Sequence, residues 1–354
     1  MTTFLATLLV LGVLIFVHEL GHFLVAKWAG IKVERFSMGF PPKMIGFTRG
    51  ETEYCISWIP LGGYVKMAGE NPDEGEITGD PREFMSKSVG VRALVIIAGP
   101  LMNFVAAFLL FAMAFFFYGR PVPDTTQVTV GSVTEGYPAE KIGLKSGDQI
   151  VSIDHQKVGT FPEMAGIVNA KPGQIVDVTW KRGDDVYSAP VLTKIDTAKT
   201  EAGTDSLVGR IGIGPGFITE PMGLFASIGE GFSQTVYLCG ATLKVFGDLV
   251  TGQMSIRMIS GPVGITRMAG EFARQGFNML LGFMAVLSVN LAILNVLPVP
   301  ILDGGHLLFL LIEKLRGRPL TIKQRAIAQQ VGLVLLLMLI VTVTYNDILR
   351  LFGA

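Results

Sequence analysis

Four stretches of the chain are apolar almost without interruption, at lengths close to the ~20 residues that cross a bilayer as a helix. They cover residues 4–27, 93–118, 277–299 and 328–347. The second has no charge between Arg92 and Arg120, and the third, "FNMLLGFMAVLSVNLAILNVLPV", has none at all. Residues 232–250, "FSQTVYLCGATLKVFGDLV", differ: apolar positions recur at helical spacing, with Lys244 and Asp248 four apart. That pattern predicts an amphipathic helix lying on a membrane or on another domain, not a span.

Between the spans the pattern changes. Residues 69–88, "GENPDEGEITGDPREFMSKS", are polar and turn-rich and predict a cytoplasmic loop that gates an entrance. From residue 121 to 200 short β-branched runs are punctuated by Gly, Pro and Asp turns, as in a small soluble domain. Its stretch "YPAEKIGLKSGDQIVSIDHQKV" resembles the corresponding segment of PDZ domains, with Ile142 before Gly143 and His155-Gln156 in place of the turn glycine. No G-L-G-F carboxylate-binding loop is visible, although an edge groove for an extended peptide is physically reasonable.

The expected fold is therefore a polytopic α-helical membrane protein of about four transmembrane helices, with one inserted extracytoplasmic PDZ-like α+β domain. The expected organisation is an N-terminal membrane region (1–120), the PDZ-like domain (121–200), a linker with the amphipathic helix (201–275) and a C-terminal membrane region (276–354). Orientation follows from charge. No base precedes the first apolar run, and Lys27 follows it, so the run reads as a retained helix with its start outside. Four spans return the C-terminus to the same side, and the basic 313–327 connection, "EKLRGRPLTIKQRAI", then lies in the cytoplasm.

Composition agrees: of 354 residues 50% are hydrophobic and 16% charged, a membrane-protein balance. The formal net charge is zero, which argues against nucleic acid as a partner. Cys55 and Cys239 are far apart and form no C-x-x-C pair, so neither a disulfide framework nor a thiolate metal site is expected.

The first span contains three ionisable residues where each is expensive, in "HELGH". His18 and His22, four apart, project from one helix face and can bind one Zn²⁺. Glu19 can take a proton from a water activated by that ion, the reading of the H-E-x-x-H pattern as a zinc peptidase. The structural alternative is a hydrogen-bonded polar cluster inside a helix bundle. A catalytic zinc needs a third protein ligand. The candidates are His306 and acidic residues at membrane depth, among which Asp303 stands out after Pro298 and Pro300, in an apolar run without a nearby base. The other reading of Asp303 is a helix N-cap. His306 is expected as a neighbour of that loop, since a fourth ligand would close the site.

With "HELGH", "GIKVERFSMGF", "IPLGGYVKM", "GPLMNF", "SGPVGI" and "NVLPVPILDGGH" in this order, the chain resembles the site-2 protease family of intramembrane zinc metalloproteases (peptidase M50), in its RseP-type, regulator-of-sigma-E branch. The resemblance implies Zn²⁺ held by His18, His22 and Asp303, with Glu19 as general base. It maps a substrate-contacting asparagine onto Asn295, with Asn290 a second polar residue on that span; interhelical hydrogen bonding is the other reading of both. Residues 31–68 read as strand–turn–strand and look like the family's membrane-reentrant β-hairpin, with Gly62 and Gly63 beside the substrate. The implied function is cleavage of single-pass membrane proteins within or near their transmembrane segment, in regulated proteolysis of an anti-sigma factor or removal of signal-peptide remnants. The implied setting is the bilayer of the bacterial inner membrane, with the active site toward the cytoplasm. A catalytically silent PDZ-bearing scaffold would lack the metal constellation, and a metal transporter would show a repeated half-structure.

Overall fold

The first apolar run folds as one helix, α1 (Thr2–Trp28), in the computed structural model, which describes residues 2–70, 78–199 and 205–352. The helix stops where Gly30 takes a left-handed conformation (φ +68°) and the Ile31 N–H donates to the Ala26 carbonyl at 2.9 Å. The chain then forms a long irregular hairpin, β1 (Val33–Arg49) and β2 (Thr52–Met67), turning at Gly50 with φ +63°. Lys27 and Arg82 both engage Glu51 at that turn and hold its carboxyl down to about 2. The strand ends near the helix are buried, with Val33, Phe36, Val65 and Met67 packed among Ala26, Val95 and Leu310. Farther along, Ile45, Phe47 and Trp58 are exposed. The expected gating loop falls partly on residues 71–77, which lie outside the described residues.

The second apolar run forms α2 (Val89–Tyr118), with Pro100 inside it. Contacts divide the chain at this point: Tyr118–Met222 is one unit, and Met1–Phe117 with Gly223–Ala354 is the other. In the inserted unit, β3 (Arg120–Pro123), β4 (Val128–Val133), the short α3 (Pro138–Lys141), β5 (Gln149–Ile153), β6 (Gln156–Lys157) and α4 (Phe161–Asn169) follow in order. Then come β7 (Ile175–Arg182), β8 (Asp185–Leu192), β9 (Lys194–Lys199), β10 (Asp205–Arg210), β11 (Ile213–Pro215) and β12 (Phe217–Glu220). The main sheet runs β11-β4-β5-β7-β8, with β6 on β5; β9 pairs with β10 and β12 with β3. Alternate residues of the strands, including Val128, Ile150, Val176 and Val178, close its core with Met164 of α4. The unit runs past residue 200 because β11, near its end, supplies the edge of the sheet. At the tight turn where a glycine was missing, Asp154 and His155 adopt φ 48° and 64°, and the Asp154 carboxylate accepts the Asp177 N–H at 2.7 Å.

The remaining helices are α5 (Leu224–Val250), α6 (Pro262–Gln275), α7 (Phe277–Val296), α8 (Asp303–Arg316) and α9 (Ile322–Leu351). Helices α1, α2, α7 and α9 are long and apolar enough to cross a membrane; α5 is not among them. It packs on α2 and α7, with Gly231 against Ala112 and the Thr242 hydroxyl donating to Asn290 Oδ1 at 2.9 Å. The third span stops at Val296, short of residue 299, because Leu297 precedes Pro298 and is forced into extended geometry (ψ 143°). Half of the apolar window of α7 is buried inside the protein, against 11% for α9, so α9 lies at the outside of the helical unit.

Candidate metal centre

Three side chains meet from two elements distant in the chain, the C-terminal half of α1 and the first turn of α8. His18 and His22 of α1 bring their Nε2 atoms within 3.2 Å of each other. Asp303 Oδ2, from the first turn of α8, lies 3.1 Å from His18 Nε2 and 3.6 Å from His22 Nε2. Tetrahedral zinc with bonds of about 2.0–2.2 Å separates its ligand atoms by about 3.3–3.6 Å, and the three distances bracket that spacing.

Proton accounting makes the same point. His22 Nδ1 sits 2.9 Å from the Val95 carbonyl, which can only accept, so Nδ1 carries a proton and, in the neutral ring, Nε2 presents a lone pair. Asp303 Oδ2 is buried and accepts no well-formed hydrogen bond. With both rings neutral and protonated on Nδ1, the converging lone pairs and carboxylate oxygen repel unless a cation lies between them. The donor set therefore fits a metal ion, with two imidazoles and one carboxylate leaving a position open.

The backbone around the cluster explains why the ligands reach each other. Gly21 of α1 lies directly against the Ala98 carbonyl of α2, and Gly99 against both imidazole rings. Any side chain at either position would separate the helices. Immediately after Asp303, the "GG" of "LDGG" has a similar use. Gly304 abuts the carbonyls of Val296 and Leu297, and Gly305 that of Val299, so the start of α8 folds tightly onto the proline turn. Asp303 caps nothing: the N-cap is Leu302, without a side-chain bond, and the carboxylate points to the histidines.

One residue not singled out from the sequence belongs here. Asn103 of α2 is fully buried, with Nδ2 placed 3.2 Å from His18 Nδ1 and Oδ1 left without a partner. If His18 ligates through Nε2, its Nδ1 carries the proton and needs an acceptor. Exchanging the amide nitrogen and oxygen, which are nearly indistinguishable in shape, gives that acceptor and pairs the orphaned oxygen. The only sequence signal was an amide in an otherwise apolar span, and it names no partner.

A cavity of about 700 Å³ opens beside the cluster. Glu19, Gly63, Tyr64 and His306 line it near the ligands, and Arg92 and Arg325 line it farther along α2 and α9. Gly63 is pressed against Glu19, where an added Cβ would fall 2.9 Å from the Glu19 Cγ. Gly62, at φ +128°, packs on the Phe40 ring. Of the two span asparagines, Asn290 is bonded to Thr242, and neither it nor Asn295 lines the cavity among the described residues.

The family model described as peptidase family M50 matches residues 6–339. The chain belongs to peptidase family M50. Among its relatives, a protein of Agrobacterium fabrum whose name places it among zinc metalloproteases is 37% identical over 98% of this chain and 95% of its own. Zinc metalloprotease RasP of Oceanobacillus iheyensis is 33% identical over 99% and 100%. The regulator of sigma-W protease RasP of Bacillus subtilis is 32% identical over 99% of each chain. A solved PDZ domain of an SdrC-like protein from Listeria monocytogenes matches 27% of this M50 peptidase and 90% of its own length, with 28% identity and a TM-score of 0.21.

Proposed function

We propose that this M50 peptidase is a zinc endopeptidase that cuts single-pass membrane proteins within or near their transmembrane segment. The observation that carries the reading is the convergence of His18, His22 and Asp303 beside Glu19 at one cavity, with both histidines and Glu19 on a helix long and apolar enough to cross a membrane. Zinc, when bound, supplies Lewis acidity and lowers the pKa of a coordinated water. Glu19, at the cavity wall, takes the proton of the attacking water and passes it to the leaving amine nitrogen.

A helical substrate shields its peptide bonds, so cleavage needs a locally extended segment. Strand addition to the β1–β2 hairpin beside Gly63 would hold one. The exposed Ile45, Phe47 and Trp58 suit a hairpin dipping into lipid. Both termini and the 118–222 unit face outward, and the basic 313–327 connection faces the cytoplasm. In that outer unit, Arg210–Ile213 and α4 line a groove of about 250 Å³ that has room for an extended peptide. The outer unit filters or docks substrates already shortened by a first cut. An anti-sigma factor or a signal-peptide remnant has the required form, a single apolar span with little mass outside.

The test is cleavage of a tagged single-pass substrate in membranes by the unaltered protein, Glu19→Gln and Asp303→Asn. Both variants are expected to be inactive, Glu19→Gln while still holding zinc. Undiminished cleavage by either overturns the assignment.

A further inference from the structure

Arg92 and Glu313, both buried, and the half-buried Arg325 form a cluster on the cavity wall, with two cations for one anion. Arg92 is fully engaged: Nη2 and Nη1 donate to the two Glu313 oxygens at 2.5 and 3.1 Å, and Nε donates to the Lys87 carbonyl at 3.1 Å. Arg325 is not. Its Nη2 stands 3.7 Å from Glu313 Oε2, too far for a hydrogen bond. Its Nη1 faces the Met85 sulfur at 4.0 Å, and its buried Nε has no partner. Glu313 is thus neutralised by Arg92, and Arg325 is a surplus cation whose planar fork is unfilled and lines the same cavity as Glu19.

From this we infer that Arg325 is a carboxylate subsite of the active-site cavity, taking a carboxylate of the peptide in two parallel hydrogen bonds. A guanidinium fork matches carboxylate geometry better than any other side chain does. The inference rests on the peptidase reading, because hydrolysis generates such a group in this cavity: the carbonyl carbon gains the water oxygen, the C–N bond breaks, the nitrogen leaves as an amine and the acid ionises. The carboxylate comes either from that new chain end or from an acidic side chain of the substrate.

The test uses the full chain with zinc in detergent. Product peptides ending at the cleavage site, as free acid and as C-terminal amide, compete with a tagged substrate. In parallel, acidic substrate residues near the cut are changed to their amides. For the chain-end source, the free acid binds about tenfold or more tighter than the amide, as expected for a charge-assisted pair, and Arg325→Gln brings that ratio close to one. For the side-chain source, the amide substitution raises KM in the unaltered protein and not in Arg325→Gln, with kcat little changed. Arg325→Lys, which keeps the charge without the fork, gives an intermediate ratio. An acid-to-amide ratio near one together with no KM response in the unaltered protein overturns the proposal, whatever the variants' stability. So does an unchanged preference in a folded Arg325→Gln. Measuring peptide binding on Glu19→Gln keeps the question separate from catalysis: absent cleavage by the unaltered protein refutes the peptidase reading, whereas equal binding of acid and amide refutes only the subsite.

Discussion

Replacing Asn103 with leucine, which has nearly the same shape, should weaken zinc binding without unfolding the protein. In the exchanged amide orientation Asn103 Oδ1 accepts from His18 Nδ1 across about the 3.2 Å now assigned to Nδ2. Leucine leaves that buried N–H without an acceptor, which costs about 1–3 kcal/mol. Because an unligated His18 can turn or change tautomer to escape the penalty, most of it falls on the metal-bound state. The expected loss is about 10- to 100-fold in zinc affinity, the range found for outer partners of metal-bound histidines. Competition against a chelator of known affinity, on purified full chain, reads it directly, and a melting curve of the metal-free protein checks the fold. Asn103→Asp separates the two orientations. It keeps an oxygen facing Nδ1, so it should hold zinc far better than Asn103→Leu. If Asn103→Leu binds zinc as the unaltered protein does, or Asn103→Asp binds more weakly than Asn103→Leu, the second-partner role of Asn103 is wrong.

Gly99→Ala drives a Cβ to within 2.6 Å of the His22 Cε1 and 2.9 Å of the His18 Cε1, so it should lower zinc occupancy and cost about 1–3 kcal/mol of stability, read by metal analysis and melting. Arg92→Leu leaves Glu313 with only the distant Arg325, and breaking a buried pair costs about 3–5 kcal/mol; the Arg92→Leu/Glu313→Leu double variant should be the more stable of the two in the same melting assay. In the outer unit, Arg182 donates to both Asp148 oxygens at 2.7 Å and, as the leading cause, holds that buried carboxyl below the usual aspartate value. A lowered acid contributes stability above the unfolded value, about 3.9, and loses it as pH falls through the folded one. Trp180 fluorescence, in a Trp28→Phe/Trp58→Phe background, should therefore show the unit weakening below about pH 4, and Arg182→Met should flatten that slope.

What could be read from the sequence was what repeats or what is expensive. The spans were legible because an unbroken apolar run has few other uses, and the candidate metal ligands because ionisable groups in such runs need a reason. Asp303 was legible for the same cause, although 281 positions separate it from His22. Less visible were features defined by a partner. The helix α6 was read as part of a linker, since its fourteen residues carry little net apolarity and its start is fixed from elsewhere: Asp347, on α9, accepts from the Gly261 and Gly264 N–H groups at 3.1 and 2.8 Å. That gives "SGPVGI" a structural use that no local pattern announces. The strand β11 was hidden because three residues interrupted by glycine and proline look like a loop until a sheet edge accepts them.

The placement of the ligands on two helices and of their supports on a third has a mechanical consequence. α1 supplies both histidines, α8 the carboxylate, and α2 the glycine that lets the rings approach and the amide behind one of them. None of the three contacts is covalent, and α1 and α2 are long and apolar enough to span lipid, where apolar faces gain little by associating with each other rather than with lipid tails. Small residues at the α1–α2 and α7–α8 junctions bring backbones close, so the packing that holds the bundle also sets the spacing of the metal ligands. The proline turn before Asp303 adds the other requirement. It gives an unwound stretch whose carbonyls at Val296, Leu297 and Val299 are approached closely by Gly304 and Gly305, and it brings Asp303 to the cavity. On the proposed function, a site that breaks peptide bonds in a membrane must keep extended backbone away from lipid twice, once in itself and once in its substrate, and the proline turn and the hairpin edge are the elements proposed to do so.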